Sequence, residues 1–159
     1  MQPTAYTAIY SMAQTYNGDR SVRTGIVKPG DNVYSYSSAW QQISIPSNAD
    51  SAKLRFWLYP MSTETGELIF PTDPLDINLP EAASASEAQM VLILDPVMGY
   101  VLNALQMMRS DVREWIGYEF DLMGYSGSSI KLYFGTLNNG TGGVTSMYVD
   151  DVSLEVCSD

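Results

Sequence analysis

The sequence predicts an all-β protein, an antiparallel β-sandwich, on three observations. Helical periodicity is nearly absent: only residues 99–114 permit a helical reading, and Pro96 and Gly99 weaken it. Short runs rich in β-branched and aromatic residues recur instead, bounded by clusters of Gly, Pro, Asn, Asp and Ser. Where the alternation is cleanest its period is two. In SAKLRFWLYP (51–60), Ala52, Leu54, Phe56 and Leu58 share one face, and Lys53, Arg55, Trp57 and Tyr59 share the other.

Taken in chain order, the predicted strands are Ala5–Ser11, Ser21–Ile26, Ala39–Ile45, Lys53–Tyr59, Gln89–Asp95, Tyr100–Met107, Glu114–Phe120, Ile130–Leu137 and Ser146–Val156. Turn chemistry separates them: NGD at 17–19, KPGDN at 28–32, IPSNAD at 45–50, LDPVMG at 94–99, GYSGSS at 124–129 and NNGTGG at 138–143. In the run at 129–137, Ile130, Leu132 and Phe134 point one way and Ser129, Lys131 and Tyr133 the other. MVLIL (90–94) has no polar parity, so both of its faces are expected to be covered, as in a central strand. The polar stretch from Ser62 to Ala88 is poorly patterned and reads as a surface excursion across one end of the sandwich.

Composition bounds the function. The 159 residues suit one domain, spanning 1–159, and 45% hydrophobic content supplies a core. The net charge of −10 disfavours nucleic acid and anionic membrane surfaces as partners, which need basic patches. No apolar run is long enough for membrane insertion. With no histidine, the histidine-dependent triads and zinc sites with His ligands are excluded. The single Cys157 allows no intrachain disulfide. GYSGS at 124–128 has the form of a nucleophile elbow, but it lies in a turn before a strand and no helix follows. No catalytic motif emerges, and the chain is expected not to be an enzyme. Its abrupt start, without a signal peptide, and its ending on a strand plus CSD read as a module excised from a larger multidomain protein.

The closing run TSMYVDDVSLEVC (145–157) poses a local problem. Tyr148, Val152, Leu154 and Val156 share the parity of Asp150, so simple alternation turns a carboxylate toward the core. Such a group must be neutralised, paired or hydrogen-bonded. Arg20, Arg23, loop amides and a bound cation are the available partners. Asp151 is expected to face solvent or to cap a neighbouring loop.

The order of these pieces resembles the galactose-binding-like jelly-roll modules of bacterial secreted proteins, a class that includes many carbohydrate-binding modules. The pieces are YNGDRSVRTGI, WQQISIP, SAKLRFWLYP, MVLILD, REWIGYEFDLMGYSGSSIKLYFGT and NNGTGGVTSMYVDDVSLEVC, covering roughly Tyr16 to Cys157. The resemblance implies a jelly roll with a secreted or cell-surface location. It also implies a structural calcium ion held by Asp150 with the loop residues Gly18, Asp19 and Ser21. The implied partner is a polysaccharide or glycan, or else neighbouring domains of a parent protein. For a glycan, Trp57, Tyr59 and Tyr133 are the expected stacking rings, and Arg55 and Lys131 the expected hydrogen-bond donors. Trp40 and Trp115 read as caps on the core, and Gln41 as a hydrogen-bonded residue at the core edge.

Overall fold

The computed structural model describes residues 4–69 and 86–158. Ten strands form two five-stranded sheets that pack face to face. They are β1 (Thr4–Ala5), β2 (Ile9–Ser11), β3 (Ser21–Gly25), β4 (Tyr34–Ser44), β5 (Ser51–Ser62), β6 (Ala88–Leu94), β7 (Val101–Met108), β8 (Ile116–Asp121), β9 (Ser129–Asn139) and β10 (Thr145–Cys157). The first sheet runs β1-β4-β9-β6-β7 and the second β2-β3-β10-β5-β8. All pairings are antiparallel except β1 with β4. This is the all-β jelly-roll sandwich that the sequence predicts. Most of the Ser62–Ala88 stretch lies outside the described residues.

The period-two pattern builds the core. Leu54, Phe56 and Leu58 of β5 meet Val91 and Ile93 of β6 and Ile130, Leu132 and Phe134 of β9. Phe56 sits at the centre, in edge contact with Phe134 and stacked near Tyr118 and Phe120. β6 is buried along its whole length, as its unbroken apolar run requires. Its outward residues Met90, Leu92 and Leu94 form a second cluster with Tyr133 and Leu137.

Three differences from the sequence reading have physical causes. The predicted strand Ala5–Ser11 is two strands in different sheets, because the chain crosses the sandwich edge between Ala5 and Ile9. β4 begins at Tyr34, five residues before its predicted start. The serines of YSYSS hide that start, although Ser35 and Ser37 are buried. Finally, β10 is bulged.

The bulge changes the meaning of the two aspartates. Val149 pairs with Leu58 and Asp150 with Trp57, but the next paired residues are Ser153 and Arg55. Asp151 supplies the irregularity with a φ of +50°, in the left-handed region. The side-chain parity therefore reverses across residues 150–153. Met147 and Val149 face the core before the bulge, and Leu154 and Val156 face it after. Asp150 points outward with Tyr148 and Trp57, not inward as unbroken alternation predicts.

Candidate functional site

The expected sugar-binding side chains do not converge. Arg55, Trp57 and Tyr59 project from the outer face of the second sheet, whereas Lys131 and Tyr133 project from the outer face of the first. The whole core lies between them. The cause is that β5 and β9 present the same parity from opposite sheets, which the sequence pattern alone does not distinguish.

The five residues are also occupied. Arg55 donates from Nε to Glu119 (2.7 Å) and from a terminal guanidinium nitrogen to Glu155 (2.8 Å). These exposed pairs hold Glu119 below its usual carboxylate range, Arg55 being the main cause. Tyr133 is buried in the second cluster, where desolvation raises its phenol and Ser38 hydrogen-bonds to it. Lys131 lies over the Trp40 ring, 4.4 Å from its centroid.

Trp57 has both ring faces covered. On one side, a Cβ added at Gly117 would come within 3.1 Å of its ring atoms, so glycine is what lets the indole lie flat on β8. On the other side, Tyr16 stacks with a centroid distance of 3.9 Å and an interplanar angle of 16°. Trp115 meets the edge of this stack and Tyr59 packs beside it. Trp115 thus caps an aromatic cluster on the outer sheet face and not the core.

Asp150 fastens the same loop. Its Oδ2 accepts the N–H groups of Tyr16 (2.8 Å) and Asn17 (3.2 Å), and its Oδ1 accepts the N–H of Asp151 (2.8 Å). Loop amides therefore satisfy the carboxylate, in place of Arg20 or Arg23. A calcium site needs oxygens converging on one point. Here the loop turns N–H groups toward Asp150, the Ser21 hydroxyl is committed to the Gln14 carbonyl (2.6 Å), and among the described residues no three acidic or cysteine side chains converge. The residues at Asp150 do not form the shell that the resemblance implies, and calcium remains an expectation from that resemblance alone.

An open groove lies beside Asp150, which is part of its lining, along the edge where β2 and β3 face β4. β1 pairs with β4 only at Ser35 and Tyr36, which leaves the later part of β4 without a neighbour on that side. The inner faces of the two sheets are accessible there. Val22, Ala39, Phe134 and Val149 form an apolar floor, with Tyr10, Arg20, Asp151 and Val152 around it, enclosing about 260 Å³. The hollow continues to Trp40, Gln41 and Leu132. Tyr10 is 74% exposed and Trp40 59% exposed even with Lys131 over one face of its ring. Arg20 has no ion pair or hydrogen bond among the described residues. Gln41, expected at the core edge, is exposed on the rim.

Sequence reasoning missed Tyr10, considered Arg20 only as a partner for Asp150, and read Trp40 as a cap on the core. One signal was available. Trp40 has the parity opposite to Ala39 and Ile43, which places it on the outer face.

No family model matches the chain, and no curated protein matches it. Solved structures share its fold. A family 61 carbohydrate-binding module in complex with β-1,4-galactotriose is 12% identical with a TM-score of 0.52, covering 89% of this chain and 74% of that one. The family 30 module of a cellulosomal cellulase of Clostridium thermocellum is 11% identical with a TM-score of 0.50, over 94% and 82%. The adhesin domain K1 of Lys-gingipain from Porphyromonas gingivalis W83 is 16% identical with a TM-score of 0.55, over 96% and 85%. At such identities the likeness shows the fold: the chain is a β-sandwich of the architecture that carbohydrate-binding modules use.

Proposed function

We propose that the chain is a non-catalytic carbohydrate-binding module whose ligand lies in the edge groove. The observation that carries this reading is the exposure of Tyr10 and Trp40 at an apolar hollow, with the Arg20 guanidinium unpaired among the described residues and Asp151 held only by a long hydrogen bond from Asn17 (3.5 Å). Sugars present C–H faces that stack on aromatic rings and hydroxyls that need directed hydrogen bonds. Tyr10 and Trp40 supply the rings. Arg20 donates, Asp151 accepts, and Gln41 does both. The strained φ of Asp151 supports the same site. The bulge re-aims residues 150–152 at the groove rim, a role bulges often serve beside functional sites. The bound galactotriose of the family 61 module lends the ligand class.

Glycan titration followed by tryptophan fluorescence tests this. The reading expects a signal change on binding, abolished in Trp40→Ala, and loss of binding in Tyr10→Ala with the fold intact. A polysaccharide panel that gives no binding would sink it. The secreted or cell-surface location belongs to the same proposal. Among the described residues no helix is long and apolar enough to cross a membrane.

A further inference from the structure

The distribution of cations along the same edge says more about the ligand. The chain has eight basic residues. Lys53 and Arg55 pair with Glu119 and Glu155, and Arg113 pairs with Asp111. Arg109 donates to the carbonyls of Gly66 and Glu67, and Lys131 lies over Trp40. Arg20, Arg23 and Lys28 are left without an ion pair among the described residues. These three share one short stretch, on β3 and its flanks, in a chain of net charge −10.

Two of them shape a pocket. Tyr6, Arg23, Val27, Lys28 and Asp31 line a hollow of about 220 Å³. Arg23 follows Val22 of the edge groove on β3, and a further hollow between Ala8–Tyr10 and Ser38–Ala39 extends that groove. The Arg23 Nε is buried and has no hydrogen-bond partner. A buried donor left unmade costs about 1–3 kcal/mol, more if charged, so an acceptor is expected for it. The guanidinium fork suits a carboxylate or sulfate, Lys28 adds a second positive charge, and the Tyr6 hydroxyl adds a hydrogen bond. Asp31 brings a carboxylate to the same hollow, fit to accept a sugar hydroxyl and unfit to touch an anion.

We propose that this pocket takes the anionic substituent of a glycan, a uronate carboxylate or a sulfate ester, whose neutral portion runs along the edge groove. The inference rests on the glycan reading above and adds the ligand's charge to it.

The test uses matched polymers in isothermal titration of the full chain: polygalacturonate against its fully methyl-esterified form, and dextran sulfate against dextran. The charged member of at least one pair should bind more tightly, which pair it is naming carboxylate or sulfate. That preference should shrink by about ten- to a hundredfold in Lys28→Gln or Arg23→Gln, the worth of one charge-assisted hydrogen bond. It should also weaken with added salt. Lys28 is exposed, so Lys28→Gln keeps the test valid if Arg23→Gln fails to fold. Equal affinity within both pairs overturns this inference and leaves the glycan reading standing. A charged preference that survives both substitutions also overturns it. Binding to none of the four overturns this inference, and the polysaccharide panel above then decides the glycan reading.

Discussion

Tyr16 stacks on Trp57 at 3.9 Å while its own N–H donates to Asp150, the residue paired with Trp57 across the β5–β10 ladder. One loop is thus fastened to one point of the sheet by a ring and by a backbone amide. The ring that looks most like a sugar platform in the sequence is the seat of that loop.

Substitution of Tyr16 should therefore change stability and leave ligand binding alone. Tyr16→Ala is expected to cost about 1–2 kcal/mol, from lost stacking and apolar burial. For a domain of this size that lowers the melting midpoint by roughly 2–4 °C per kcal/mol. Glycan affinity should stay at the wild-type value, because Tyr16, unlike Asp150, is not part of the groove's lining. Calorimetric melting and titration of the same variant check both halves.

Asp150→Ala should be more damaging than Asp150→Asn. Removing the carboxylate releases three solvent-exposed backbone donors to water, at about 0.5–1.5 kcal/mol for each hydrogen bond lost. The amide of Asn retains an acceptor oxygen. Because amides already satisfy Asp150, a melt in excess chelator followed by added calcium should show no shift. A rise of several degrees on adding calcium, lost in Asp150→Ala, would restore the ion that the resemblance implies.

The bulge yields a backbone prediction. Asp151 holds a φ of +50°, which a β-branched side chain tolerates poorly and glycine adopts freely. Asp151→Gly should fold with stability within about 1 kcal/mol of the wild type, and Asp151→Val should lose more than that. Denaturant midpoints separate the two.

A pH dependence follows from Glu87. Its carboxyl is fully buried and accepts the Thr145 hydroxyl at 2.5 Å, while its second oxygen has no partner. Burial pushes its pKa up from 4.5 to about 7. The protonated form is favoured in the folded state, so this contribution is complete below the unfolded value and is lost as pH rises through about 7. The size is on the order of 3 kcal/mol at most. Glu64 works in the opposite sense. Backbone N–H groups of Gly66 and Gly143 hold it below its usual range, so its contribution appears above the unfolded value and is lost on acidification. Denaturant unfolding between pH 5 and 8 should show the wild type weakening relative to Glu87→Gln, with the gap widening toward pH 8. Parallel profiles would contradict this.

Much of the fold was legible because apolar alternation at 51–60 and 130–134 reports directly on a half-buried strand. The unbroken run at 90–94 likewise reported a strand covered on both faces. What was not legible depended on events between distant segments. The parity of Asp150 was misread because nothing in YVDDVSLEV marks where a bulge inserts its extra residue. Trp57 looked free because its cover, Tyr16, comes from a loop far away in sequence. The groove position of Tyr10 and Arg20 escaped notice because a groove at a sheet edge depends on how little of β4 the short β1 pairs with. Periodicity does not encode that.

The most direct test of the central claim is glycan titration of Tyr10→Ala and Trp40→Ala beside Tyr16→Ala, each first shown to be folded by near-ultraviolet circular dichroism. Placement of the ligand in the edge groove predicts binding lost or strongly weakened in the first two and unchanged in the third. Full binding by Tyr10→Ala and Trp40→Ala, with binding altered only in Tyr16→Ala, would contradict it and return the ligand to the Trp57 face.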